Sequence, residues 1–156
     1  MENVIAKYES GELSDSDFVY DVYELLASKY DAVAGYDLLR ESEQILVHPL
    51  ELEGQVLNGG FSQYFENMYG DNVFAALASF KKIGMNEAYK IVQKVIELFP
   101  DSSPAKNEED RIKQFDLMSE ESQKKIDDLS HQFSLLEEHN AKLFIRYVLE
   151  NKRELV

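Results

Sequence analysis

A chain of 156 residues with 44% hydrophobic and 12% aromatic content has the size and composition of one globular domain, which excludes a wholly disordered protein. It contains no cysteine, so disulfides, thiolate metal sites and a cysteine nucleophile are excluded together. Its formal net charge of −14 is concentrated in residues 1–54, which carry −10, against zero for 55–100 and −4 for 101–156; phosphate backbones are bound through Lys and Arg, so this balance argues against direct nucleic-acid binding and for a basic partner.

The chain opens Met1-Glu2-Asn3-Val4, without the basic-then-apolar pattern of a leader, and no apolar run approaches the roughly 18 residues a membrane span needs. A cytoplasmic protein with no membrane association is expected. Period-2 alternation is missing, and the periodicity is helical throughout. Phe18, Val22, Leu25 and Leu26 predict a first long helix over 16–34, ending before Gly35. A second helix is predicted over 42–57, kinked or restarted at Pro49 because proline clashes with the preceding turn.

Residues 53–69 form the one motif-like segment. Asn58-Gly59-Gly60 takes positive φ cheaply and so ends one helix and turns into the next. Phe61, Tyr64, Phe65 and Met68 then fall on one apolar face, while Gln63 and Asn67 lie four apart on another, within mutual hydrogen-bond reach. Glu53 stands just upstream and can fold back toward them. Two readings follow: a polar pocket built from Glu53, Asn58, Gln63 and Asn67, or a tight helical corner whose amides satisfy backbone groups, which is the commoner use of such amides.

Downstream, Val73, Leu77, Phe80 and Ile83 make a helix stopped by Gly84, and Ala88, Ile91, Val92, Val95, Ile96 and Phe99 make another, capped by Asn86 and stopped by Pro100. The pair is expected to form an antiparallel hairpin. The stretch 100–107, with Pro100 and Pro104, has the composition of an internal linker inside a single domain spanning 1–156. Ser119 caps a helix carrying Ile126, Leu129, Phe133 and Leu136, and Leu143, Phe144, Tyr147 and Val148 line a last one. The predicted fold is all-α: a single-domain irregular bundle of about six to eight helices.

The run Asn-Gly-Gly-Phe-x-Gln-Tyr-Phe-x-Asn over 58–67, followed by Leu77 and Ile83-Gly84, resembles the bacterial DNA-mimic-protein-like family. The resemblance covers 40–150, with its specific part within 53–84, and rests on Asn58, Gly59, Gly60, Phe61, Gln63, Tyr64 and Asn67. It implies a small all-helical domain, named for an acidic member that imitates DNA, and transfers no catalytic residues.

Imitation of DNA has to reside in surface acids. Asp17, Asp21, Glu24 and Asp31 recur along one side of the first long helix, with neighbours about 5–6 Å apart at Cβ. Phosphates on one strand advance roughly 3.4 Å along the axis per nucleotide, a comparable scale. The alternative is a solvated face that keeps the protein soluble. Glu120-Glu121, Asp127-Asp128 and Glu137-Glu138 extend the acidity, although Lys124 and Lys125 interrupt it.

Enzyme signatures are missing: no His-Glu-x-x-His, Walker A, Gly-x-Ser-x-Gly or dinucleotide fingerprint occurs. Asp127 and His131 lie four apart, but with His48 and His139 they make no recognised metal pattern. No catalytic residue, metal or cofactor is assigned. The leading expectation is a protein-binding module, a DNA mimic that sequesters a basic DNA-binding regulator. The alternatives are a small-ligand or catalytic domain at the 53–67 corner, and an immunity-type protein neutralising a toxin. The oligomeric state is left open, a homodimer included.

Overall fold

The computed structural model describes residues 1–30 and 35–156. Among these the chain forms nine α-helices and three 3-10 turns, with no strand. The α-helices are α1 (Glu2–Glu9), α2 (Asp15–Ala27), α3 (Glu41–Phe65), α4 (Val73–Ile83), α5 (Asn86–Ile96), α6 (Glu108–Asp116), α7 (Glu120–Ser134), α8 (Glu137–Glu150) and α9 (Lys152–Leu155). The 3-10 turns are Gly35–Leu38, Met68–Asn72 and Pro100–Ser102. The all-α class stands as the sequence predicts; the short terminal helices α1 and α9 add to the count.

The bundle is arranged around α3, which packs on α2, α4 and α7. Its 25 residues bury Leu46, Val47 and Leu52 completely on more than one side, as a central helix must. This surrounds Pro49 with packed neighbours, and the helix runs through it: the two residues of α3 with non-helical dihedrals are Gly59 and Gly60. The expected restart at Pro49 does not occur, because burial on both sides holds the proline turn in place, whereas the turn expected at Gly59 and Gly60 does. Aromatic contacts carry the core from α3 outward. Phe61 meets Phe133 of α7 edge-on at 5.4 Å, and Phe65 meets Phe99 at 4.8 Å, which in turn meets Phe115 of α6 at 6.0 Å.

Local rules account for most helix ends. Ser14 caps α2, Asn107 caps α6 and Ser119 caps α7, each side chain accepting from a backbone N–H three residues on. Gly84 ends α4 with φ 90°, and α5 packs back on α4. Asn86 is the first residue of α5 rather than its cap, which is Met85. The first long helix stops at Ala27 instead of continuing to residue 34.

No helix among the described residues is long and apolar enough to cross a membrane.

Candidate functional site

Three features occupy the neighbourhood that the sequence singles out: the glycine corner, a buried arginine behind it, and a groove on its other side.

At the corner, Gly60 adopts φ 76° and ψ −178°, a region open to glycine and costly to other residues. The turn frees the N–H of Phe61, which donates to Ser130 Oγ of α7 at 2.9 Å; that hydroxyl donates on to the carbonyl of Ile126 at 2.8 Å. Phe61 and Tyr64 then point into the core, fully buried. Met68 does not join them: α3 ends at Phe65, and Met68 falls in the following 3-10 turn, exposed.

The amides of the corner bind one another. Asn58 Nδ2 donates to Gln63 Oε1 at 2.9 Å, and Gln63 Nε2 donates to Gln55 Oε1 at 2.8 Å. Asn67 Nδ2 donates to the same Gln55 oxygen at 2.8 Å, while its own oxygen accepts from the N–H of Tyr69 at 3.0 Å. Gln63 and Asn67 thus meet through Gln55, a residue that nothing but its amide distinguishes in the sequence. Glu53 does not reach this network. Two residues before Gln55 on α3, it faces α8 instead, where Asn140 Nδ2 donates to its Oε1 at 3.2 Å.

Arg111 of α6 closes the corner from behind, with its side chain wholly buried. Its Nε donates to the carbonyl of Phe65 at 2.7 Å and Nη2 to that of Asn67 at 2.6 Å. Nη1 meets Asp71 at 2.7 Å and the carbonyls of Ala105 and Lys106 at 2.8 and 3.2 Å. These acceptors lie at the open end of α3, in the 3-10 turn after it and in the 100–107 segment, so one guanidinium ties three stretches of backbone together. A Cβ on Gly70 would sit 2.6 Å from Arg111 Nε, which explains why glycine stands there. A lone arginine reads as surface in a sequence, and nothing in the pattern around 111 reveals its burial.

The acid-bearing side lies on α2. Phe18, Val22 and Leu26 are fully buried and anchor the helix. Asp17, Asp21 and Glu24 project roughly a third of a turn or more away from that seam, at about 100° per residue. Asp17 and Glu24 are exposed and Asp21 is half-buried. Among the described residues none of the three takes part in an ion pair. Asp17 accepts from the cap hydroxyl of Ser14 at 2.6 Å. Asp31, the fourth acid of the predicted row, lies outside the described residues.

The third face of α2, carrying Val19, Tyr20 and Tyr23, forms one wall of a groove of about 520 Å³ whose other walls come from α3 and α8. Glu53, Asn58 and Leu57 line it from α3 and Glu137 from α8, whereas Gln63 and Asn67 do not. At its floor, the buried Glu51 accepts from the hydroxyls of Tyr30 and Tyr36. Burial raises the pKa of Glu51, opposed by those two hydrogen bonds, and raises both tyrosines, with the Glu51 contact adding to the rise. His48 Nδ1 stands 3.9 Å from Glu51 and has no hydrogen-bond partner among the described residues; burial takes its pKa down to about 4, so the imidazole is neutral at pH 7. Glu53 is pushed up to about 7, first by burial and then by the charge of Glu137, with the Asn140 bond opposing.

No group of three or more His, Asp or Glu side chains among the described residues is placed to hold a metal ion. No curated protein and no solved structure matches the chain. The family model described as DMP19-like protein does match, over residues 37–151, a span that holds the glycine corner, Arg111 and two of the three groove walls, while α2 lies ahead of it.

Proposed function

The chain belongs to the DMP19-like protein family, and from that premise we propose that it is a cytoplasmic protein-binding module that sequesters a basic DNA-binding protein by presenting carboxylates in place of phosphates. One observation carries the proposal: Asp17, Asp21 and Glu24 stand without an ion-pair partner among the described residues, on a helix whose opposite face is locked into the core. Free carboxylates on a rigid support give fixed geometry as well as sign, and geometry is what a DNA-binding surface recognises beyond charge. The excess of −10 in residues 1–54 supports the same orientation of the molecule toward its partner.

The test is affinity capture from host lysate at low and at high salt, with wild type beside Asp17→Lys/Asp21→Lys/Glu24→Lys. A basic protein held by wild type, released by salt and lost from the triple variant is the expected result, since exposed charges are screened. Equal capture by the triple variant overturns the proposal. Identification of a captured toxin rather than a regulator would move the function to neutralisation through the same surface.

A small-ligand site is the second reading, favoured by the groove beside Glu53.

A further inference from the structure

The groove between α2, α3 and α8 is not used by the carboxylate row, which lies on the neighbouring face of the same helix. Its lining combines three carboxylates, Glu51, Glu53 and Glu137, with tyrosine and aliphatic surface, and among the described residues includes no lysine, arginine or histidine. Neither Glu53 nor Glu137 has an ion-pair partner among the described residues. Its size falls within the roughly 300–1,000 Å³ of ligand sites. Two carboxyl groups without ion-pair partners among the described residues, beside the apolar surface of Val19, Tyr20, Leu50 and Leu57, complement a cation carried on a long aliphatic stem.

We propose that this groove receives one arginine side chain of the partner, its guanidinium beside Glu53 and Glu137 and its methylenes along Val19, Tyr20 and Leu57. The proposal rests on the preceding one, which makes the partner basic. Arginine fits better than lysine because its planar, weakly hydrated head stacks on tyrosine rings and meets carboxylates through two donors. Lysine, a compact and strongly hydrated charge, loses more on entering such a site.

Entry of the cation also titrates Glu53. The groups facing that carboxyl are Asn140 and Glu137 from α8, with Glu51, Asn58, Tyr20 and Tyr23 around the groove, and none of them is cationic. An arriving guanidinium therefore favours the ionised carboxylate, releases a proton, and binds more tightly as pH rises through about 7.

The experiment is a titration of the full-length protein with N-acetyl-argininamide, followed by amide chemical shifts. Saturable shifts at Tyr20, Gly54, Leu57 and Ala141 are expected, with N-acetyl-lysinamide weaker and the uncharged isostere N-acetyl-citrullinamide not saturating. Glu53→Gln/Glu137→Gln should weaken argininamide about tenfold, as loss of charge from both partners of a cation does; the Glu53→Gln change keeps a side-chain oxygen for Asn140, which preserves the fold. Equal binding of the citrulline compound, or shifts confined to other residues, overturns the inference. Lysate capture separates it from its premise. If the double glutamine variant captures as wild type does while the triple lysine variant fails, the groove assignment falls and the carboxylate row stands. If both variants capture as wild type does, the premise itself falls.

Discussion

The glycine corner and the groove-bearing side of α2 adjoin along the same stretch of α3, where Gln55 and Asn58 belong to the one and line the other, and they treat polar groups in opposite ways. At the corner every side-chain amide has a partner within the chain, and all three guanidinium nitrogens of Arg111 donate to backbone carbonyls or Asp71. On α2 and in the groove, Asp17, Asp21, Glu24, Glu53 and Glu137 present carboxyl groups that no lysine or arginine among the described residues pairs with. Satisfied polar groups hold a fold together; unanswered charge is available to something outside it. The most motif-like residues of this chain are therefore scaffold, and the least motif-like acids are the better candidates for function.

Arg111→Met is the strongest way to break that contrast. It takes the guanidinium from four carbonyls and Asp71, with the Asn67 carbonyl keeping the N–H of Gly70, and should cost about 3–5 kcal/mol in urea denaturation. Capture of the partner by the residual folded protein should persist. Gly60→Ala comes next, at about 1–3 kcal/mol, since an alanine there must hold φ 76° with its Cβ 3.0 Å from Ser130 Oγ. Ser130→Gly would not rescue it, because the dihedral cost remains.

Glu53→Gln sharpens the comparison from the other side. A carboxyl raised from 4.5 to about 7 contributes most below pH 4.5 and loses that contribution as pH rises through 7. The glutamine variant should accordingly be more stable than wild type at pH 8, by on the order of 2 kcal/mol, with no difference near pH 4.5. His48 works in the reverse direction. Its pKa, lowered from 6.5 to about 4, makes a contribution present above pH 6.5 and lost as pH falls toward 4. Thermal melts across pH 4–8 measure both slopes. The smallest stability effect belongs to the triple reversal on α2: about 1 kcal/mol, chiefly from Asp17 in the first helical turn, beside complete loss of capture. A large drop in melting temperature would place those acids with the scaffold after all.

Local pattern made much of this architecture legible. The apolar stripe from Ala88 to Phe99, the cap at Ser119 and the stop at Gly84 act through neighbours within one or two turns, so spacing reveals them. The turn at Gly59 and Gly60 is legible for the same reason. The amide corner was half legible: Gln63 and Asn67 share a face, but the oxygen they share belongs to Gln55, back across a bend in the helix.

The features hidden from local pattern depend on residues far apart in the chain. Pro49 stays helical because packing from several helices surrounds it; Arg111 is buried because carbonyls from residues 65 to 106 converge on it; Glu53 turns to Asn140, 87 residues away. Sequence determined where helices begin, which face of each is apolar, and where negative charge accumulates, since those follow from bonds and spacings along one chain. Which carboxylates find a partner, and which are left facing a groove, is settled by helix packing, because burial and Coulomb energy depend on distance through space rather than along the backbone.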